Sequence, residues 1–166
     1  MPKNPLFLLV IALMLVFACA PDETYFKTKM TNGKWHKDSI FQFKFETSDT
    51  ISEFDLFIHI RNTEDYKYSN LYLIASLEYP KGKVEVDTLE YKMAYPDGQL
   101  MGVGMGSLKH NLLWYKDKFK FTESGFYTFN LKHAMRRYNK IEPLEELDAV
   151  EEVGFSYKPH KTIDNE

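Results

Sequence analysis

The chain is 166 residues long, 44% apolar and 16% aromatic, with 21 lysines and arginines against 24 aspartates and glutamates and a formal net charge of −3. That mild acidity argues against nucleic acid or an anionic lipid surface as the main partner, because both reward clustered Lys and Arg. The length suits one domain with an adequate core, and the single cysteine, Cys19, excludes an intramolecular disulfide.

Met1 to Asn4 contribute one basic residue, Lys3, and Leu6 to Ala18 form an uncharged apolar run. That run is about 13 residues, where a transmembrane helix needs roughly 20. Val16-Phe17-Ala18-Cys19 puts a branched apolar residue three before the cysteine and a small one just before it, the pattern a lipoprotein signal peptidase accepts. Residues 1–18 therefore read as a signal peptide, and Cys19 as the lipidated first residue of the mature protein. Each buried methylene of an acyl chain contributes about 0.8 kcal/mol, so two or three chains hold a protein at a membrane where one does not. Residues 19–34 read as a tether, although Tyr25-Phe26 and Trp35 are apolar enough to dock and keep the domain close to its membrane.

From residue 35 the period is two. Phe41, Phe43 and Phe45 share one face of a first strand, and Phe54, Leu56, Ile58 and Ile60 share one face of a second, each expected to be half-buried. Leu71, Leu73, Ala75, Leu77 and Tyr79 alternate up to the turn Pro80-Lys81-Gly82, and Val84 to Tyr95 gives a longer, less regular β segment. Lys116, Lys118 and Lys120 read as a solvated strand face opposite Phe119 and Phe121, and Gly125 opens a strand over Phe126 to Leu131. His133 to Asn139 and Pro143 to Glu151 suggest short helices, Val153 to Tyr157 a closing strand, and residues 159–166 a polar tail. The expected fold is mainly all-β, a β-sandwich or open β-barrel over residues 35–158 with one or two short helices.

A search for chemistry returns little. His36, His59, His110, His133 and His160 are widely separated and form no two-histidine metal motif. His59 alternates away from the apolar face of its strand, which reads as a surface or second-face histidine. Gly98, Gly102, Gly104 and Gly106 lead into Leu108 and Trp114 rather than into a helix, so they suit turns or bulges better than a phosphate cradle. Adjacent acids at Glu145-Glu146 and Glu151-Glu152 read as solvated. No catalytic residue, metal ligand or cofactor is expected.

Binding is the remaining possibility. Tyr66, Tyr68, Ser69 and Asn70 concentrate aromatic and hydrogen-bonding groups in a connection between strands, where such groups gather. Gly102 and Gly104 would let another backbone approach closely. The plainer alternative is that Tyr68 and Asn70 pack and cap a turn.

Particular strings add a resemblance. Arg-Asn-Thr-Glu-Asp-Tyr-Lys-Tyr-Ser-Asn-Leu at Arg61 to Leu71 is followed by Asp87-Thr88, by Pro96-Asp97-Gly98 with Gly102-Val103-Gly104, and by Gly125-Phe126-Tyr127. His133-Ala134-Met135-Arg136 and Val153-Gly154 come next. In this order, over roughly Trp35 to Tyr157 and together with the lipoprotein signal, they resemble the gliding-motility lipoprotein GldH family of Bacteroidota. The resemblance implies an accessory lipoprotein of a gliding machinery linked to type 9 secretion, anchored by lipid in the outer membrane. It implies a non-catalytic scaffold or binding module whose partners are other gliding or secretion envelope proteins. A rival is a carbohydrate-binding or adhesive envelope lipoprotein, motivated by the aromatic content and Trp114-Tyr115. A coplanar row of exposed Trp and Tyr favours the rival, and buried Trp35 and Trp114 favour the scaffold.

Overall fold

The computed structural model describes residues 25–104 and 106–161, so the signal peptide and Cys19 lie outside the described residues. Ten strands follow one another with no helix among the described residues. They are β1 (Tyr25–Met30), β2 (Lys34–His36), β3 (Phe41–Thr47), β4 (Phe54–Thr63), β5 (Asn70–Glu78), β6 (Val84–Lys92), β7 (Leu108–Phe119), β8 (Gly125–His133), β9 (Glu146–Asp148) and β10 (Val150–Pro159). One antiparallel sheet has the order β1-β10-β4-β7, a second has β3-β8-β5-β6, and β2 pairs with β9. The result is a β-sandwich that does not close into a barrel.

The alternation read from the sequence builds its core. Phe43 and Phe45 from β3, Leu71, Leu73, Ala75 and Leu77 from β5, and Tyr127, Phe129 and Leu131 from β8 point inward from one sheet. Leu56, Ile58 and Ile60 from β4 and Val153, Phe155 and Tyr157 from β10 meet them from the other. The Phe129 and Phe155 rings stack across the sandwich with centroids 4.2 Å apart. At one open side Tyr115 donates its hydroxyl to Asp87 (2.8 Å) and Tyr91 to the Trp114 carbonyl (2.6 Å), linking β7 to β6 without a strand ladder.

Four differences from the sequence reading have physical causes. First, the segment read as tether over 19–34 is strand from Tyr25 onward: β1 pairs with β10 over six residues, and Trp35 is fully buried, so the domain starts ten residues earlier than 35. Apolar side chains with a free sheet edge to join dock rather than dangle. Second, no helix forms over 133–139 or 143–151. Leu144, Leu147 and Val150 are all buried at helix-like spacing of three, but Leu147 belongs to β9 and Val150 to β10. Between them Ala149 takes a left-handed φ of 67° that resets which side chains point inward. Third, β4 is covered on both faces rather than half-buried, because it lies in the middle of its sheet beneath long side chains from its neighbours. Fourth, β7 loses its alternation near its end, where the β4–β7 register shifts and Lys118 adopts φ 50°. There Lys116 pairs with Asp87 (3.1 Å) and Lys120 with Glu53 (3.4 Å) rather than standing solvated alone.

Candidate binding surfaces

Strand directions sort the connections into two groups. The start of β1, the β3–β4 and β7–β8 connections and the β5–β6 turn share one end of the sandwich, where Tyr25 lies 5.1 Å from Phe45 and Lys81 bonds Glu123. The connections after β4, β6 and β8 share the opposite end. There the Ser69 carbonyl accepts the Met93 amide (2.8 Å) and the Tyr72 carbonyl accepts the Ala134 amide (2.8 Å).

All six loop residues singled out from the sequence lie at this second end, in different roles. Tyr66 is buried, and its hydroxyl donates to the Asn70 carbonyl at 2.8 Å. Burial pushes its phenol pKa well up. Tyr68 is half-buried with its ring 5.7 Å from that of Tyr66, and Ser69 is exposed. Asn70 donates from Nδ2 to Glu90 (3.0 Å), which holds that carboxyl below its ordinary range. Gly102 and Gly104 serve their own chain. A Cβ on Gly102, whose φ is 98°, would come within 2.9 Å of the His110 carbonyl, and one on Gly104 would collide with the Leu108 carbonyl. The backbone that approaches these glycines closely is that of β7, to which Val103 is paired through His110 (2.9 and 2.7 Å).

Tyr68, Ser69 and Asn70 come together with the segment after β8. They line a groove of about 740 Å³ whose other walls include Tyr72, Met135, Arg136 and Tyr138. Gly102 and Gly104 take no part in it. Two strings separated by more than sixty residues, Tyr68-Ser69-Asn70 and Ala134-Met135-Arg136, thus meet on one surface.

Sequence reasoning missed a second surface. The register of the first sheet sets Phe26, Ser156, Phe57 and Trp114 in one row across its outer face, and Thr28, Gly154, His59 and Leu112 in the next. Outer faces of antiparallel sheets are ordinarily polar. Here Phe26 and Trp114 are half-exposed, and Phe57 is buried beneath Trp114 with Lys158 over its ring at 5.0 Å. His59 is only 5% exposed, with Nε2 2.7 Å from the Ser156 hydroxyl and Nδ1 3.0 Å from His110 Nε2. Burial first, and then the neighbouring His110, push its pKa down to about 4. Gly154 makes the arrangement possible: a Cβ there would sit 2.7 Å from Thr28 and 3.1 Å from the His59 Cβ, so Phe26 and His59 meet over it with ring centroids 4.9 Å apart. Above it lies a cup of about 370 Å³ walled by Phe26, His110 and the Arg61–Glu152 ion pair (2.7 Å). The serine–histidine–histidine chain resembles a nucleophile relay in outline, but Ser156 is fully buried, and a nucleophile must reach its substrate. It satisfies buried polar groups instead. The histidine separation in the sequence hid this grouping, since only strand pairing brings residues 59, 110 and 156 together.

Asp55, Asp117 and His160 place three ligand atoms within 4.8 Å of one another and could hold a cation. The 2.8 Å pair between His160 Nδ1 and Asp55 Oδ1 satisfies the buried carboxylate without one.

Comparison with known proteins decides the family. A family model described as GldH lipoprotein matches residues 23–156. The chain belongs to the GldH lipoprotein family. It is 40% identical over 149 residues to a gliding motility lipoprotein GldH homolog of Christiangramia forsetii, covering 90% of this chain and 91% of that one. To the gliding motility lipoprotein GldH of Flavobacterium johnsoniae it is 38% identical over 148 residues, covering 89% and 92%. These GldH relatives are named as motility components and not as enzymes. Among solved structures, an infectious bursal disease virus VP2 subviral particle aligns at 9% identity and a TM-score of 0.40, over 83% of this chain and 34% of that one. No functional reading follows from so loose a likeness.

Proposed function

We propose that this GldH lipoprotein is a non-catalytic accessory module of the gliding machinery linked to type 9 secretion, anchored by lipid on Cys19 in the outer membrane and binding another envelope protein through the far end of its sandwich. The observation that carries the reading is the separation of the two ends. Five residues lie between Cys19 and Tyr25, and the six steps from one to the other reach about 20 Å at most, while β1 enters at the end closed by short connections. Tyr68, Ser69 and Asn70 gather at the other end, which a tether this short keeps away from the anchoring membrane. Removing Cys19 tests the anchor: metabolic labelling with a palmitate analogue is expected to mark the wild type. Cys19→Ser is expected to abolish the label and free the protein from the membrane fraction, and undiminished labelling of that variant ends the reading.

The carbohydrate-binding alternative retains one specific support. Trp35 is buried, as a scaffold requires, but Trp114 is 55% exposed beside Phe57 and the cup over Gly154. Aromatic faces next to hydrogen-bonding side chains are what a sugar ring stacks on. Binding of the wild type but not Trp114→Ala to immobilised envelope polysaccharide would favour it, and no binding by either protein dismisses it.

A further inference from the structure

We infer that the groove at the far end of the sandwich accepts an extended peptide segment carrying a carboxylate, contributed by the envelope protein that this lipoprotein binds; the inference rests on the proposed role of that end and adds the chemistry of what it recognises. Shape is the first argument. The groove continues along the outer face of β5 into an adjoining depression of about 590 Å³, the two sharing Ile74, so that Tyr72, Ile74 and Ser76 form a common floor. Successive outward residues on one strand are two positions apart, and the floor from Tyr72 to Ser76 therefore runs about 13 Å at roughly 3.3 Å per residue. A narrow channel of that form suits a stretched chain of four to six residues better than a compact ligand. Its sides combine the exposed apolar Ile40 (59%) and Val86 (63%) with the polar Gln42 and Asn130.

Backbone availability is the second argument. β5 is paired on both edges, with β6 and with β8, and the Tyr72 carbonyl is taken by the Ala134 amide. An incoming segment finds no free ladder along this floor, so side chains must do the recognising. Charge is the third argument. Arg136 is the only charged side chain among the residues lining the groove, and among the described residues it has no hydrogen-bond or ion-pair partner. The Glu90 carboxylate on β6 is held by Asn70 and Tyr72. Within the groove a guanidinium stands beside otherwise uncharged, tyrosine-bearing walls, and in the adjoining depression the formal charges of Lys132 and Glu78 cancel. Such a guanidinium pairs bidentately with a carboxylate, a geometry that lysine does not reproduce. Tyr138, 93% exposed beside it, offers a ring for contact at small entropic cost.

Photocrosslinking in living cells tests this, with the full-length lipoprotein carrying p-benzoylphenylalanine at Ser69, at Tyr138 or, as a comparison outside the groove, at Gln99. Ser69 and Tyr138 are expected to capture the same protein, and the crosslinked peptide is expected to contain Asp, Glu or a chain terminus within three residues of the attachment point. Arg136→Ala should lower the yield from both positions at least tenfold while leaving lipid labelling and circular dichroism unchanged, and Arg136→Lys should recover only a fraction. Crosslinking from Gln99 alone would overturn the groove while leaving the far end as a binding surface, and capture from none of the three positions would overturn both. Attachment to polysaccharide or lipid, a captured peptide without a carboxylate, or a yield indifferent to Arg136 each overturns the peptide assignment.

Discussion

At the end where β1 begins, the sandwich is closed by rings: Phe121 is fully buried and meets Phe45, Phe54, Phe119, Tyr127 and Tyr157 with centroids 5.0 to 5.6 Å away. At the other end Trp35 packs edge-on against Phe41 and His133, and the loops beyond it are held by main-chain hydrogen bonds, such as Met93 to Ser69 and Leu144 to Met135 at 2.8 Å each. Aromatic packing gains stability from every atom it buries, so there is little freedom to vary it. Loops pinned through their backbone leave their side chains free for other work. On the proposed reading, stability and recognition sit at opposite ends of one small domain.

The largest effect that would test this contrast lies in the ring cluster. Phe121→Ala is expected to cost about 3–5 kcal/mol, the range for deleting a buried phenylalanine, measured as a fall in the urea midpoint. A loss below about 1 kcal/mol would show that the ring end does not carry the stability assigned to it.

Next in size is a pH effect from the outer face of the first sheet. His59 titrates near 4 when folded and near 6.5 when unfolded, so between those values the unfolded chain binds more protons. Stability is then complete above about pH 6.5 and falls as pH drops toward 4. Burial lowers the His133 pKa as well, which adds a contribution of the same sign. His59→Gln, which keeps a hydrogen-bonding group without the titration, is expected to flatten the urea midpoint between pH 6.5 and 4 relative to wild type. An unchanged slope would mean that the His59–His110–Ser156 chain tolerates a charge.

How much of this was legible in the residues divides along the same lines. Period-two alternation located β3, β4, β5, β8 and the end of β10 because an antiparallel strand buries one face, and the ring cluster follows from that alternation. Alternation carries no information on which strands pair. His59, with Ser156 beyond it, therefore read as isolated, and the Gly154 that lets Phe26 reach His59 could not be assigned a purpose. Where the backbone turns left-handed, at Ala149 and at Lys118, the period itself fails. Leu144, Leu147 and Val150 then imitate a helix, and Tyr25 to Met30 imitate a tether because their partner strand lies more than 120 residues away.

A smaller effect is expected in the glycine loop. Gly104→Ala forces the new methyl against the Leu108 carbonyl, and because an exposed loop can shift, the expected cost is about 1–2 kcal/mol, within the range for overpacking. Wild-type stability in this variant would mean that the loop is not held against β7, and the far end would then be looser than the contrast requires.

The smallest stability effects, and the most informative, belong to Tyr68 and Asn70. Asn70 has one side-chain hydrogen bond, to the exposed Glu90, and Tyr68 is half-buried with an exposed serine beside it, so alanine at either position is expected to cost about 1 kcal/mol or less. Tyr66 differs, being buried and bonded to the Asn70 carbonyl; Tyr66→Ala therefore serves as the example of a residue whose role is to hold the loop. If the far end is a binding surface, Tyr68→Ala and Asn70→Ala fold normally yet fail to restore spreading motility to a deletion strain, whereas Tyr66→Ala loses both. If Tyr68 and Asn70 only pack and cap the turn, motility follows the melting temperature across all three variants. Normal motility together with normal stability in Tyr68→Ala and Asn70→Ala removes this loop from the interface.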